Sequence, residues 1–163
     1  MRMDKLTHQL QGALADAQSL AEGRDNSQID TAHLLQALLD QQGGSARPLL
    51  QNAGANIDQL QQSLRGLLSD LPVVGNATGE VHISPELSRV LNLSDRKAQQ
   101  SGDSFLSSEV VLQSMVEAGG PVGDALKKSG VTADGLERAI AAVRGGESVD
   151  SADAEESRQA LEK

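Results

Sequence analysis

The sequence predicts an all-α fold: eight helices arranged as two pseudo-symmetric four-helix repeats. Apolar residues recur three and four apart, with no sustained alternation of period two. Gly, Pro, Asn and Asp punctuate the chain at helix-length intervals. Most informative is a duplication: residues 6–68 run parallel to residues 83–145 at an offset of 77, which slips to 76 past a glycine pair. Leu6, Leu10, Leu14, Ala17 and Ala21 answer to Ile83, Leu87, Leu91, Ser94 and Ala98. Gly43, Gly44, Leu50, Gly54, Leu60 and Leu64 answer to Gly119, Gly120, Leu126, Gly130, Leu136 and Ile140. Each unit spans 63 residues, too few to bury a large core alone, so the copies are expected to pack on one another.

The first helix is expected over residues 7–22, with Thr7 as N-cap, Leu10, Leu14, Ala17, Leu20 and Ala21 as its apolar stripe, and Gly23 as its stop. Asp, Asn and Ser fill the loop 24–30, because their side chains compete for backbone bonds. Asp30 or Thr31 then caps a second helix through Leu39, stopped by Gly43-Gly44. A short third helix over 45–52 tolerates Pro48 in its first turn, where amides lack helical partners. A fourth covers 57–68. Residues 69–82, with Pro72, Gly75, Asn76 and Gly79, read as a mobile connector. Ser84-Pro85-Glu86 opens the fifth helix, over 85–100, with a hydroxyl cap, a first-turn proline and an acid at the positive end. The sixth follows Ser107 or Ser108 and ends before Gly119-Gly120; the seventh covers 122–128 and the eighth 133–144. No sheet is expected. Residues 146–163 read as a flexible linker, holding six acids against Arg158 and Lys163.

Composition excludes several functions. The net charge of -9 offers no basic cluster for phosphate contacts, and Phe105 is the only aromatic residue, so no base-stacking platform exists. Nucleic acid is therefore not an expected partner. No apolar run approaches a membrane span or a signal-peptide core, and cysteine is absent, which fits a cytoplasmic setting. His8, His33 and His82 lack metal-ligand spacing, and neither G-x-S-x-G nor G-x-x-x-x-G-K-[ST] occurs. No catalysis, metal or cofactor is expected in this chain; binding is the leading class.

Specific motifs point to a family. Met1-Arg2-x-Asp4-x-Leu6-Thr7, the run from Ala13 to Leu20, Gly43-Gly44 before Pro48-Leu49-Leu50, Arg89-Val90-Leu91-Asn92-Leu93 and Gly102-Asp103-x-Phe105-x-Ser107-Ser108-Glu109 resemble the N-terminal domain of the ClpB family of bacterial AAA+ disaggregases. Arg144-Gly145-Gly146-Glu147-Ser148-Val149 resembles the junction into the first ATPase module. The resemblance implies a double-repeat Clp N-domain tethered above a homohexameric, ATP-driven ring that works with the DnaK chaperone system on unfolded or aggregated polypeptides. It also implies that the isolated domain is monomeric, needs no cofactor, and takes part in substrate handling through the polar positions Thr7, Asp103 and Glu109. Relatives such as the ClpA and ClpC N-domains bind adaptors instead.

Disagreements between the copies are an independent guide. Leu93 stands where copy one has Asp16, Val110 where it has His33, and Phe105 where it has Gln28. If Asp16 and His33 are solvent-accessible, then Leu93, Val110 and Phe105 form an exposed apolar patch on copy two, with Val90 and Lys97 sharing the face of Leu93. Lys97 is then a flexible cation at the edge of that groove. The alternative buries Leu93 and Val110 between the copies. Thr7 also reads as a cap, Asp103 as a turn residue and Glu109 as a charge complementing a helix N-terminus. The expected function is capture of apolar segments of unfolded protein; docking of an adaptor and a structural lid over a pore are the alternatives.

Overall fold

The computed structural model describes residues 3–74 and 81–145. A single 3-10 turn, Met3–Lys5, precedes eight helices: α1 His8–Gly23, α2 Thr31–Asp40, α3 Ala46–Asn52, α4 Ile57–Ser69, α5 Pro85–Gln100, α6 Ser108–Ala118, α7 Gly120–Lys128 and α8 Ala133–Arg144. The caps expected for α1 and α5 form. Thr7 and Ser84, equivalent in the duplication, each accept a bond from the amide three residues on, Leu10 at 3.3 Å and Leu87 at 3.1 Å. Asn56 and Thr132 cap α4 and α8 in the same way. The seventh helix starts two residues early, at Gly120, because Pro121 fits its first turn.

The two copies are interlocked. α1 packs on α2 and α5 on α6, but α3 packs against α8 and α4 against α7, so each copy completes its layer with the other's last two helices. One continuous apolar core results, running from Leu10, Leu35 and Leu38 through Leu60 and Leu64 to Leu87, Leu112, Met115 and Leu126. Gly54 and Gly130, equivalent in the duplication, meet near the pseudo-twofold axis with φ of +105° and +115°; a Cβ on Gly130 would lie 2.5 Å from the Gly54 carbonyl oxygen. Both positions therefore require glycine.

Contrary to the sheet-free expectation, a short parallel pair joins β1 (Gln28–Ile29) to β2 (His82–Ile83). Its pseudo-symmetric counterpart is a parallel bridge between Leu6 and Leu106. The bond from Ser84 N to Ile29 O (3.0 Å) is matched by that from Thr7 N to Leu106 O (2.9 Å). Each copy's entry segment is thus clipped to the other copy's helix-helix loop. Two-residue strands are too short to show a period. Gly75 to Glu80 of the connector and the expected linker 146–163 lie outside the described residues.

Candidate functional site

Helix α5 buries Leu87, Val90, Leu91, Ser94 and Ala98. With 100° per residue this stripe is broad enough to include Val90, and Leu93 falls just beyond its edge, half-buried. Two expected members of the exposed patch are corrected here: Val90 is 1% and Val110 4% exposed, both in the core. The Ser94 and Ser114 hydroxyls bond back to the carbonyls of Val90 and Val110, at 2.7 and 2.9 Å. Lys97 is not a flexible cation. It is half-buried and paired with Glu117 of α6.

The premise behind Val110 also fails, because His33 is fully buried, while Asp16 is exposed as expected. His33 is kept inside by a closed set of bonds. Asp30 N donates to Nδ1 (2.8 Å), which places the ring proton on Nε2, facing Asn26 Oδ1 at 2.9 Å. The Asp30 carboxylate in turn accepts from Ala32 N at 3.1 Å, and Asp30 and His33 form a reciprocal capping box. Burial lowers the His33 pKa below the ordinary imidazole range; the Asp30 charge opposes this and that of Arg24 adds to it. A polar residue in one copy thus implied a satisfied network rather than exposure.

Copy two solves the same corner with charge. Arg144, the last residue of α8, donates Nη1 and Nη2 to the two Asp103 carboxylate oxygens (3.1 and 2.9 Å) and Nη2 also to Ser107 Oγ (3.2 Å). Its Nε lies 3.3 Å from Glu109 Oε1, an ion-pair distance without hydrogen-bond alignment. The Asp103 and Glu109 side chains are 0% and 3% exposed. Asp103, Ser107, Glu109 and Arg144 occupy the places of Asn26, Asp30, Ala32 and Leu68 in copy one. Asp103 and Glu109 are therefore held as a structural lock on the end of α8. Arg144 escaped the sequence reading, although a cation in the slot of Leu68 was the visible signal.

Thr7 is buried, capping α1 and joining the Leu106 clip. Phe105 is half-buried beside a cleft of about 460 Å³ lined also by Ala98, Asp95, Asp103 and Leu106. Leu93, on α5, is not among the residues that line that cleft. Among the described residues the exposed large apolar side chains are elsewhere: Val73, Val74 and Ile83, around the connector. Among the described residues no helix is long and apolar enough to cross a membrane.

Comparisons with known proteins agree with this architecture. The chain is 52% identical, over all its 163 residues, to "Chaperone protein ClpB" of Pseudomonas putida, of which it spans 19%. The fold matches the Hsp104 N-terminal domain of Candida albicans with a TM-score of 0.81 at 22% identity, covering 93% of this chain and 99% of that one. It also matches a ClpV N-domain solved in complex with VipB peptide (TM-score 0.68, 21% identity, 85% of this chain and 86% of that one). Residues 5–129 match the Clp repeat N-terminal domain family, and the chain belongs to that family.

Proposed function

We propose that this domain captures apolar segments of unfolded or aggregated polypeptide through the outer surface of copy two and hands them to an ATP-driven ring formed by the rest of its parent protein. One observation carries the reading. Where copy one exposes Asp16 and Gln28, copy two holds the half-buried apolar side chains Leu93 and Phe105. An apolar group left partly in water forgoes part of the roughly 1.5–3 kcal/mol that full burial gives, and a transient partner can supply the missing contact. That a ClpV N-domain of this fold was solved in complex with VipB peptide supports the reading. Thr7, Asp103 and Glu109 act indirectly, by fixing the clip and the α5–α6 loop that present Leu93 and Phe105. In this reading the domain is a monomer without a cofactor of its own, set on a cytoplasmic homohexamer that works with the DnaK system. Six weak sites on one ring would add avidity.

The test is binding of a permanently unfolded polypeptide by the Leu93→Asp, Phe105→Gln double variant. Binding falls several-fold while the melting temperature moves by only a few degrees. Unchanged binding refutes the reading. A steep salt dependence, insensitive to both substitutions, would favour adaptor docking through the acidic surface instead.

A further inference from the structure

Leu93 shares its face of α5 with cations. Successive helical residues turn by about 100°, so Arg89, Arg96 and Lys97 lie within about 60° of Leu93, one turn to either side. Arg89 and Arg96 are exposed. Lys97 is tied to Glu117, and Arg89 acts on the half-buried Glu86 one turn earlier. Among the described residues Arg96 makes no ion pair. Asp95 is turned about 160° away from Leu93 and lines the cleft beside Phe105 instead.

Copy one has the opposite charge on the equivalent face. Gln9, Gly12, Asp16, Ser19 and Leu20 stand where copy two has Glu86, Arg89, Leu93, Arg96 and Lys97, and Asp40 stands where it has Glu117. The face of copy one therefore holds two acids and no cation, whereas in copy two three cations outnumber Glu86 and Glu117. This reversal occurs in a chain with 14 Lys and Arg against 23 Asp and Glu. A cationic rim around an apolar side chain complements a partner that is apolar at one position and acidic beside it. Spacing narrows the partner further. Arg89 and Arg96 are about 10 Å apart along the helix axis. In an extended chain, residues two apart share a face, so the pattern Asp-x-Leu-x-Asp sets a leucine between two carboxylates over about 13 Å, a span that two long Arg side chains can meet.

We propose that Arg89 and Arg96 make the Leu93 site selective for extended segments in which an apolar residue is flanked, two positions away on each side, by acids. The apolar side chain packs on Leu93 and each guanidinium takes one carboxylate. The inference deepens the capture reading and rests on it: it names the sequence class captured and the two residues that choose it.

The probe is acetyl-Gly-Asp-Ser-Leu-Ser-Asp-Gly-amide, compared with peptides in which both Asp are Asn or both are Lys. Each is titrated into the 163-residue chain while backbone amides are followed by NMR. Saturable shifts are expected at residues 89–97, with residues 12–20 unmoved. Exposed ion pairs are individually weak, so the Asp peptide should bind about fivefold more tightly than the Asn peptide, and the Lys peptide more weakly than either. The double variant Arg89→Gln, Arg96→Gln should bring the three peptides to equal affinity without moving the melting temperature. The reversal Arg89→Glu, Arg96→Glu should favour the Lys peptide, an exchange that a merely structural role for the two arginines would not produce. Equal affinities for the unaltered chain, or silence to all three peptides while a permanently unfolded protein still shifts Leu93, overturn the selectivity and leave the capture reading standing. Silence at Leu93 to the peptides and to the unfolded protein overturns both. Contacts to Arg89 or Arg96 from residues 147–163 of the same chain, seen without peptide, would give the face to that acidic segment and overturn the proposal.

Discussion

Replacing Arg144 with Leu, the residue in the equivalent slot of copy one, removes the guanidinium paired with Asp103 and Glu109. Both carboxylates are at most 3% exposed, so solvent cannot take over the role of the guanidinium. Breaking a buried pair by removing one partner costs about 3–5 kcal/mol, because a buried charge is left uncompensated. For a chain of this length each kcal/mol moves the midpoint by roughly 2–4 °C, so Arg144→Leu should lower Tm by about 6–20 °C. With Phe105 the only aromatic residue, the assay is helical circular dichroism under heat and urea rather than fluorescence. The decisive comparison is the triple variant Asp103→Asn, Glu109→Ala, Arg144→Leu, which rebuilds the copy-one set Asn26, Ala32 and Leu68. Removing all the charges together should recover most of the loss. A residual of about 1–3 kcal/mol is expected, since Asn at 103 would face Val110 rather than a histidine partner. If Arg144→Leu costs less than about 1 kcal/mol, the value of an exposed pair, the buried lock is refuted.

Three further outcomes follow from the same structure. Gly130→Ala places a Cβ 2.5 Å from the Gly54 carbonyl at φ +115° and should destabilise by about 2 kcal/mol or more, whereas Gly66→Ala, with nothing within 4 Å in the interior of α4, should stabilise by roughly 0.5–1 kcal/mol. His33 is held neutral below its unfolded pKa, so the unfolded chain binds the extra proton and stability falls as pH drops through about 6.5, at up to about 1.4 kcal/mol per unit. His33→Val should flatten that slope in urea titrations run from pH 7 to 5. Glu86, whose pKa is raised by burial and then by Asp30, acts in the opposite sense: its contribution is full at low pH and is lost as pH rises through its folded value. Val110→Ser, a core change at 4% exposure, should lower Tm clearly, while Leu93→Asp should not.

Much of the fold was legible because it is written locally. Thr7, Ser84 and Asn56 accept amide bonds where cap chemistry places them, and the Gly54 and Gly130 correspondence marked a real contact. The interlocking of α3 with α8 and α4 with α7 was not legible, since a repeat in sequence fixes equivalence but not which copy supplies the neighbour. The site was read less well, for a physical reason. Comparing the copies assumed that a polar residue marks water, yet His33 is buried in bonds to Asp30 and Asn26, and that error placed Val110 outside. Val90 was misplaced because the buried stripe of α5 is wider than the line through Leu87, Leu91 and Ala98. Leu93 and Phe105 are half-buried where their counterparts Asp16 and Gln28 are exposed, the difference on which the proposal rests.

The central claim is that copy two, not copy one, carries the capturing surface. Its most direct test is an NMR titration of this chain with a soluble, permanently unfolded protein, comparing each amide with its pseudo-equivalent. Shifts should concentrate around Leu93 and Phe105 and leave Asp16 and Gln28 unmoved. Equal shifts at both members of each pair, or shifts confined to the exposed Val73, Val74 and Ile83, would contradict it.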